Sequence, residues 1–416
     1  MQGRGEFGDG RPLLFSVRMG YGHLRAAVAL GATLGLPVVE LEDSSLTPAA
    51  ERRLWRRTRR LYEGVSRASQ LPAAGLPLMW LLDRTTAIHG PPGPAGSQAA
   101  PTGATRGLRR LVHRGLGAGL RQHLEATGRA LVTTFYAPAL AVDGPAGPPV
   151  LCVVTDSDIH RVWAPHDPAS SRVTYLAPTR TAAARLRAYG VAEERVRCTG
   201  FPLPPELVGG PGLEVLREDC ARRLERLAPD GAPRGPLHVV FAVGGAGARA
   251  RRGAALVSEL EGPLRQGQLR LTLVAGARPE VECRFRRLAA RTGLGGEEGS
   301  PVAVLGAPTF AAYEVRFNRL LRSADVLWTK PSELVFFAAL GLPLVLDDPV
   351  GDHERRNREW LVGLGAALPR PRRGETATAL TSWRRSGELA GVACAGLEAL
   401  PADGVHRIAD LVRALG

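Results

Sequence analysis

The sequence predicts an α/β protein built from two tandem domains, each a parallel sheet flanked by helices. Its 416 residues exceed one ordinary hydrophobic core and fit two domains of about 200 residues each. Short apolar runs of strand length alternate with helical stretches, and this alternation restarts after about residue 206. The pattern is typical of Rossmann-like domains, and we expect their two parallel sheets to face a central cleft.

Domain boundaries follow from composition. Residues 1–11 read as a disordered lead, and residues 12–205 form the first domain. Within it, the low-complexity segment at about 90–106 is expected to be a mobile loop. Residues 206–395 form the second domain, and residues 396–416 end the chain with a helix.

Each predicted strand is a short apolar run that leads into a turn or a helical stretch. In the first domain these runs lie at 13–17, 37–41, 130–134, 150–155 and 173–177. In the second domain they lie at 237–243, 270–275, 302–305, 325–329 and 342–346. Because open α/β sheets bind ligands at the carboxyl ends of their strands, we expect the functional residues in the turns that follow these runs.

Composition favours a protein of the reducing cytoplasm. The chain has 44% hydrophobic and 23% charged residues, and no uninterrupted apolar run reaches 18 residues, so no transmembrane helix is predicted. The five cysteines are scattered without a CxxC pair, which argues against a zinc site or a disulfide framework. We predict no metal site.

The net charge of +14 is concentrated in the first half, where residues 1–205 hold 25 Arg and 15 acidic residues. Two stretches, 51–62 and 106–124, place apolar residues on one helical stripe among many arginines. Basic amphipathic helices of this kind bind anionic membranes. The alternative is that they are ordinary helices covering the domain, with a solvated arginine face.

A glycine-bearing turn, RMGYGH, follows the first apolar run and contains Gly20, Gly22 and His23. An imidazole at a helix N-terminus tends to stay neutral, which suits a general base. A capping or packed histidine is the structural alternative.

A second glycine-rich turn follows the first strand of the second domain, with Gly244, Gly245 and Gly247 in the sequence GGAGA. Glycines at this position let main-chain N–H groups approach a phosphate at a helix N-terminus. Such turns are common, so the signal is weak by itself.

The chain contains 53 arginines and a single lysine, Lys330. It ends a predicted strand in the sequence TKPSEL, where Ser332 and Glu333 suit the start of a helix. A lysine kept against so strong a preference for arginine indicates a site that needs a compact ammonium group, and the alternative is chance survival.

A cluster of polar and aromatic residues ends the strand at 150–155, in the sequence VVTDSDIHRVWAP. It contains Asp156, Asp158, His160 and Trp163. Carboxylate, imidazole and indole groups at the carboxyl end of a strand are typical of an active site. The two aspartates could share a divalent metal ion, but the sequence shows no third ligand at a suitable spacing.

Taken in order, five motifs resemble the UDP-sugar transferases of the GT-B fold, the group that includes monogalactosyldiacylglycerol synthase and the N-acetylglucosaminyltransferase of peptidoglycan precursor synthesis. These motifs are GYGHLRAA, GGAG, SADVLWTKPSE, GLPLVL and HERRN. The likeness covers about residues 12–368. It implies an acceptor-binding first domain, a donor-binding second domain, and a C-terminal helix that returns to the first domain.

The resemblance assigns roles to individual residues. It implies that Gly20, Gly22, His160 and Trp163 lie on the acceptor side and that Ser332 and Glu333 are among the donor-binding residues. His23 matches the family histidine near the acceptor hydroxyl, and Gly244, Gly245 and Gly247 match its diphosphate loop. Lys330 aligns with a family lysine, while Glu354 and Asn357 match a QExxN motif near the donor sugar, with His353 in place of Gln. This sequence departs from the family pattern in the segment from Lys330 to Gly341. The segment is about two residues shorter than in family members, and Phe336 stands at the position where they have a ribose-binding Glu.

The resemblance implies an inverting, metal-independent glycosyltransferase that uses a nucleotide-diphosphate sugar, with UDP favoured, and a lipid or other hydroxyl acceptor. His23 or Asp156 would be the base. Apart from this co-substrate no cofactor is expected, and the expected partners are the nucleotide sugar and an anionic membrane surface, not nucleic acid. The protein would be cytoplasmic and peripheral on the inner face of the membrane. Two alternatives are a non-catalytic binding protein with the same fold and a hydrolysing nucleotide-sugar epimerase.

Overall fold

A computed structural model describes residues 10–18, 20–41, 46–49, 51–53, 55, 88, 90–229, 235–243, 250–296 and 299–415. The chain divides into two compact units. The first comprises Met1–Pro204, Gly351–His353 and Asp403–Gly416, and the second comprises Pro205–Val350 and Glu354–Ala402.

The first unit is built on a six-stranded parallel sheet with the strand order β2-β1-β3-β4-β5-β6. The strands are β1 (Leu13–Ser16), β2 (Val38–Glu40), β3 (Leu131–Thr133), β4 (Val150–Val153), β5 (Val173–Ala177) and β6 (Val196–Cys198). Strands β1, β3 and β4 are buried along their whole length, as expected for a sheet covered on both faces. The strand order reverses between β1 and β3, which is where open α/β sheets form a binding crevice.

Helices connect these strands and cover the sheet. They are α1 (Tyr21–Leu34), α2 (Gly103–His113), α3 (Ala118–Thr127), α4 (Tyr136–Val142) and α5 (Arg180–Ala188), with 3₁₀ turns at Arg161–Trp163 and Glu193–Arg195. The N-terminus of α2 is capped by Thr102, whose hydroxyl accepts a hydrogen bond from the Thr105 main-chain N–H (3.3 Å). This cap begins the helix inside the loop that was expected to extend to about residue 106.

The basic stretch 106–124 forms two helices instead of one. Gly115 and Gly117 adopt positive φ angles of +99° and +78°, which break the helix between α2 and α3. The carboxylate of Glu51 accepts hydrogen bonds from the main-chain N–H groups of Gly117 (2.7 Å) and Gly119 (3.3 Å) and so holds this break in place.

The apolar stripe of these two helices is turned toward the core of the first unit. Leu120 and Leu124 are buried, and Leu108 and Leu111 pack against the same core cluster. This arrangement matches the alternative of domain-covering helices. Of the other predicted membrane stretch, 51–62, most residues lie outside those described.

The second unit contains a seven-stranded parallel sheet with the order β13-β12-β11-β7-β8-β10-β9. Its strands are β7 (Leu237–Ala242), β8 (Leu269–Gly276), β9 (Gly295–Gly296), β10 (Val302–Gly306), β11 (Val326–Thr329), β12 (Leu344–Leu346) and β13 (Ala367–Pro369). The first strand of the unit, β7, lies between β8 and β11, so this order also reverses near its middle.

The helices of the second unit alternate with these strands. They are α6 (Pro205–Val208), α7 (Glu214–Leu227), α8 (Ala250–Glu259), α9 (Glu261–Arg265), α10 (Pro279–Thr292), α11 (Phe310–Ser323), α12 (Asp352–Gly363), α13 (Thr376–Arg385) and α14 (Glu388–Ala399). The predicted helix at 332–340 is a 3₁₀ helix, Glu333–Leu340. The sequence resemblance and the two parallel-sheet units together confirm the predicted α/β two-domain fold.

The last helix, α15 (Gly404–Arg413), packs against α1 in the first unit. At its start, a Cβ atom added to Gly404 would lie 2.4 Å from the carbonyl oxygen of Phe201, so only glycine permits this close approach. Among the described residues, no helix combines the length and the apolar character that crossing a lipid bilayer requires.

Candidate functional site

His23 lies in the first turn of α1, directly after β1, at the point where the strand order of the first sheet reverses. Gly20 precedes the helix with a φ angle of +125°, a backbone conformation that favours glycine, and Gly22 lies beside His23 in the first turn. The turn places the imidazole next to the ends of β3 and β4, because these strands follow β1 in the sheet.

Hydrogen bonds determine which nitrogen of His23 carries a proton. Its Nδ1 atom lies 2.7 Å from the main-chain oxygen of Thr134 and 3.0 Å from the hydroxyl of Thr155. A carbonyl oxygen can only accept, so Nδ1 is the protonated nitrogen and Nε2 holds the lone pair in the neutral ring. The main-chain oxygen of His23 in turn accepts from the Thr134 hydroxyl (2.8 Å), which fixes the residue from both ends.

Aromatic rings surround this imidazole. Phe135 contacts the ring edge to face at a centroid distance of 4.8 Å, and Trp163 lies at 6.2 Å. Tyr136 stacks obliquely against both aromatic rings, at 4.3 Å from Phe135 and 5.1 Å from Trp163. Phe135 and Trp163 are buried. The imidazole therefore lies among aromatic side chains that also pack against one another.

The two carboxylates of the TDSD sequence have different roles. Asp158 is buried and receives two hydrogen bonds from the Arg185 guanidinium, at 2.9 and 2.8 Å. Arg185 also donates to the main-chain oxygen of Gly90 (2.7 Å), so this ion pair fastens the loop after β4 to the segment before α2. Asp156 is half-buried and has no hydrogen-bond partner among the described residues, which leaves its carboxylate available to a ligand.

His160 and His353, predicted to lie on the acceptor and the donor side, are neighbours within the first unit, with ring centroids 6.5 Å apart. Burial, followed by the positive potential of His353 and Arg185, lowers the pKa of His160 to about 3. Its Nδ1 atom is buried without a hydrogen-bond partner among the described residues. A neutral, incompletely hydrogen-bonded imidazole is therefore held beside a second one.

In the second unit, Lys330 follows β11 and forms an ion pair with Glu354 near the start of α12, with an Nζ–Oε1 distance of 2.7 Å. The other oxygen of Glu354 accepts from the Val350 main-chain N–H (2.9 Å). The carboxylate is 5% exposed and the lysine side chain 24% exposed. About a quarter of the lysine side chain is therefore exposed, while its counter-ion is buried.

Asn357 extends this link between the two loops. It is fully buried, and its side-chain amide donates to the main-chain oxygen of Pro331 (3.1 Å). Ser332 is buried and directly precedes the 3₁₀ helix, and Glu333 is its half-buried first residue. Glu354 and Asn357, one helical turn apart, thus hold the loop that carries Lys330.

Of the other predicted positions in this unit, one lies in the hydrophobic core and three lie outside the described residues. Phe336 is buried and its ring lies 5.5 Å from that of Trp360, so this position contributes to the core. Gly244, Gly245 and Gly247 lie outside the described residues, which resume at Ala250 in the first turn of α8.

Sequence reasoning missed four residues of the first site: Thr134, Phe135, Tyr136 and Thr155. The signal was present, because the sequence TTFY follows an apolar run and Thr155 ends the next one. Only the strand order, with β3 and β4 next to β1, brings these turns to His23.

Comparisons with known proteins were made for sequence and for structure. No protein-family model matches the chain. Over 237 residues it is 25% identical to the processive diacylglycerol beta-glucosyltransferase of Bacillus subtilis (strain 168). The alignment covers 56% of this chain and 54% of that protein, so the chain spans about half the length of the curated relative it matches.

Solved structures resemble the whole chain at low sequence identity. MurG of Acinetobacter baumannii has a TM-score of 0.52 and 15% identity, with 97% of this chain and 99% of that chain covered. The chain has the GT-B fold. The UDP-GlcNAc 2-epimerase of Neisseria meningitidis, bound to UDP-GlcNAc, has a TM-score of 0.54 and 12% identity, covering 97% and 100%. S. aureus MnaA, in a UDP co-structure, has a TM-score of 0.54 and 11% identity, with 98% of this chain and 96% of that chain covered. Because transferases and epimerases both resemble this GT-B chain, the fold alone does not decide its reaction.

Proposed function

We propose that this GT-B protein is an inverting glycosyltransferase that transfers a sugar from a UDP-sugar to the hydroxyl group of a lipid acceptor. The observation that carries the proposal is the His23–Thr134 contact, because it makes Nε2 the basic ring nitrogen, beside the rings of Phe135 and Trp163. The sequence similarity to a diacylglycerol glucosyltransferase supports the acceptor class. Neighbouring structures that hold UDP or UDP-GlcNAc support the donor class.

The proposed reaction is a single displacement. Nε2 of His23 takes the proton of the acceptor hydroxyl, and the acceptor oxygen forms a bond to the anomeric carbon. On the opposite side of that carbon, the bond to the diphosphate oxygen breaks and the diphosphate leaves with the electron pair. One displacement inverts the configuration of the anomeric carbon.

Charge on the departing diphosphate is met in this proposal by the ammonium of Lys330 and by main-chain N–H groups of the Gly244, Gly245 and Gly247 turn. Lys330 is suited to this role because Glu354 fixes its position while part of the side chain remains exposed. No metal ion is required for this step. Asp156 would orient the acceptor or raise the basicity of the site, since its carboxylate has no hydrogen-bond partner among the described residues.

A direct test is to incubate the purified protein with radiolabelled UDP-glucose and vesicles that contain dioleoylglycerol. The proposal predicts a labelled glycolipid and UDP release that depends on the acceptor. UDP-GlcNAc without acceptor is the parallel sample, because a hydrolysing epimerase would release UDP and a free epimerised sugar there. Binding of UDP-sugars without turnover in either sample would support a non-catalytic protein of this fold.

A further inference from the structure

A groove in the second unit is separate from every residue discussed so far. It has a volume of about 540 Å³ and lies on the face of the sheet formed by β7, β8 and β10, with α11 as one wall. Ala303, Val304 and Leu305 of β10 are only half-buried, although this strand lies between two others. The face of the sheet is therefore incompletely covered here, and the opening has the size of a small-molecule site.

Four arginines line this groove: Arg270, Arg286, Arg316 and Arg319. Among the described residues that line it there is no carboxylate. Arg286 is paired with Glu282 of its own helix (2.9 Å), and Arg316 donates to the main-chain oxygen of Gly306 (3.0 Å). These contacts orient the two guanidinium groups, and within the described part of the chain only Arg286 of the four has a carboxylate partner.

Arg270 and Arg319 differ from the other two, because neither has an ion pair or a hydrogen bond with a described residue. Both side chains are exposed, Arg270 near the start of β8 and Arg319 in α11. They lie on different walls of the groove, since one belongs to the sheet and the other to the helix that covers part of it. An anion in the groove would thus meet cations from two elements.

The floor of the groove contains a buried polar pair, His238 and Thr272. Nδ1 of His238 lies 3.2 Å from the Ser323 main-chain oxygen and must carry the proton, so Nε2 accepts from the Thr272 hydroxyl (2.9 Å). Burial and the charge of Arg270 lower the pKa of His238, in agreement with a neutral ring. The positive charge of the groove therefore comes from its arginine walls, and the floor is polar and uncharged.

We propose that this groove binds a small phosphorylated oligoanion. A guanidinium group matches the geometry of phosphate oxygens and remains charged at every physiological pH, and several such groups around one cavity favour a ligand with more than one anionic group. The proposal is independent of the reaction assigned to the chain.

The test is calorimetric titration with inorganic tripolyphosphate at constant ionic strength. The variants are Arg270→Gln and Arg319→Gln, and the matched control is Arg287→Gln, which removes an exposed charge from α10 outside the groove. Each groove variant should bind tripolyphosphate about tenfold more weakly, as expected for one lost charged hydrogen bond, while the control binds like the wild type. Saturating UDP should leave tripolyphosphate binding unchanged.

Three results would overturn the proposal. An equal loss in Arg287→Gln would mean a general effect of surface charge, and displacement by UDP would place tripolyphosphate in a nucleotide site. Absence of tripolyphosphate binding would also refute the proposal. It would do so even if the protein sedimented with phosphatidate vesicles in a way that depends on these arginines, because the ligand would then be a lipid headgroup. Unfolding curves of all four proteins should coincide, because the substituted side chains are exposed.

Discussion

The Nδ1 atom of His23 lies 2.7 Å from the main-chain oxygen of Thr134, and this contact joins the turn after β1 to the end of β3. Because a main-chain carbonyl oxygen cannot donate, the proton of the neutral imidazole lies on Nδ1 and the lone pair on Nε2. With the Nδ1 proton directed at this carbonyl oxygen, Nε2 is the ring nitrogen that can take a proton from an acceptor hydroxyl.

The buried pair of Asp158 and Arg185 should contribute strongly to stability. Substituting Arg185 with Met leaves the Asp158 carboxylate buried without its partner, so the free energy of unfolding should fall by about 3–5 kcal/mol. Urea unfolding followed by circular dichroism measures this. Arg187→Met, two residues along α5, removes an exposed pair with Glu193 and should cost no more than about 1 kcal/mol. Similar losses in both variants would contradict a special role for the buried pair.

Lys330 should have a structural as well as a binding role. Lys330→Met leaves Glu354 buried without its cation, so we expect a loss of about 1–3 kcal/mol in the free energy of unfolding. Adding Glu354→Gln removes the buried charge and should restore part of that stability.

The same lysine should affect donor binding. UDP-sugar affinity should weaken by about 1.5–3 kcal/mol in Lys330→Met and in the double variant, and Lys330→Arg should recover only part of it. Calorimetric titration beside thermal melts separates the two roles. If all variants bind UDP-sugars equally, Lys330 is purely structural.

His160 predicts a pH dependence of stability. Its pKa is about 3 in the folded protein and near the ordinary 6.5 after unfolding, so the unfolded chain binds more protons between these values. Stability should therefore fall as the pH decreases below about 6.5 and continue to fall toward about 3. His160→Gln removes this contribution, and its urea midpoint should change less than that of the wild type between about pH 7.5 and about pH 5. Equal changes in the two proteins would show that His160 is protonated without cost in the folded state.

The sequence predicted the fold well because apolar runs of strand length are a local signal. Buried parallel strands such as β7 and β11 read as continuous apolar segments. Lys330 directly follows β11, and His23 lies at the start of the helix after β1. The order of the strands is not local. For that reason the Thr134 and Phe135 turn could not be assigned to the His23 site before the sheet was known.

Side-chain pairing was harder to predict for a similar reason. Glu354 matched a donor-sugar motif, yet in the structure its two oxygens accept from Lys330 and from the Val350 main chain. Lys330 and Glu354 lie 24 positions apart in the chain, and the sequence between them carries no pattern that indicates this ion pair. The break between α2 and α3 was also missed, because it depends on Glu51, a distant residue that binds the glycine N–H groups.

The central claim, that His23 is the base of a sugar transfer, is tested most directly by the rate of glycolipid formation in His23→Asn. The asparagine amide can still donate to the Thr134 oxygen but offers no basic nitrogen at the position of Nε2. We expect the rate to fall at least about a hundredfold while UDP-glucose binding and the unfolding curve stay unchanged. His113→Asn, an exposed histidine of α2, should keep the wild-type rate. A His23→Asn protein that forms glycolipid at nearly the wild-type rate would contradict the account.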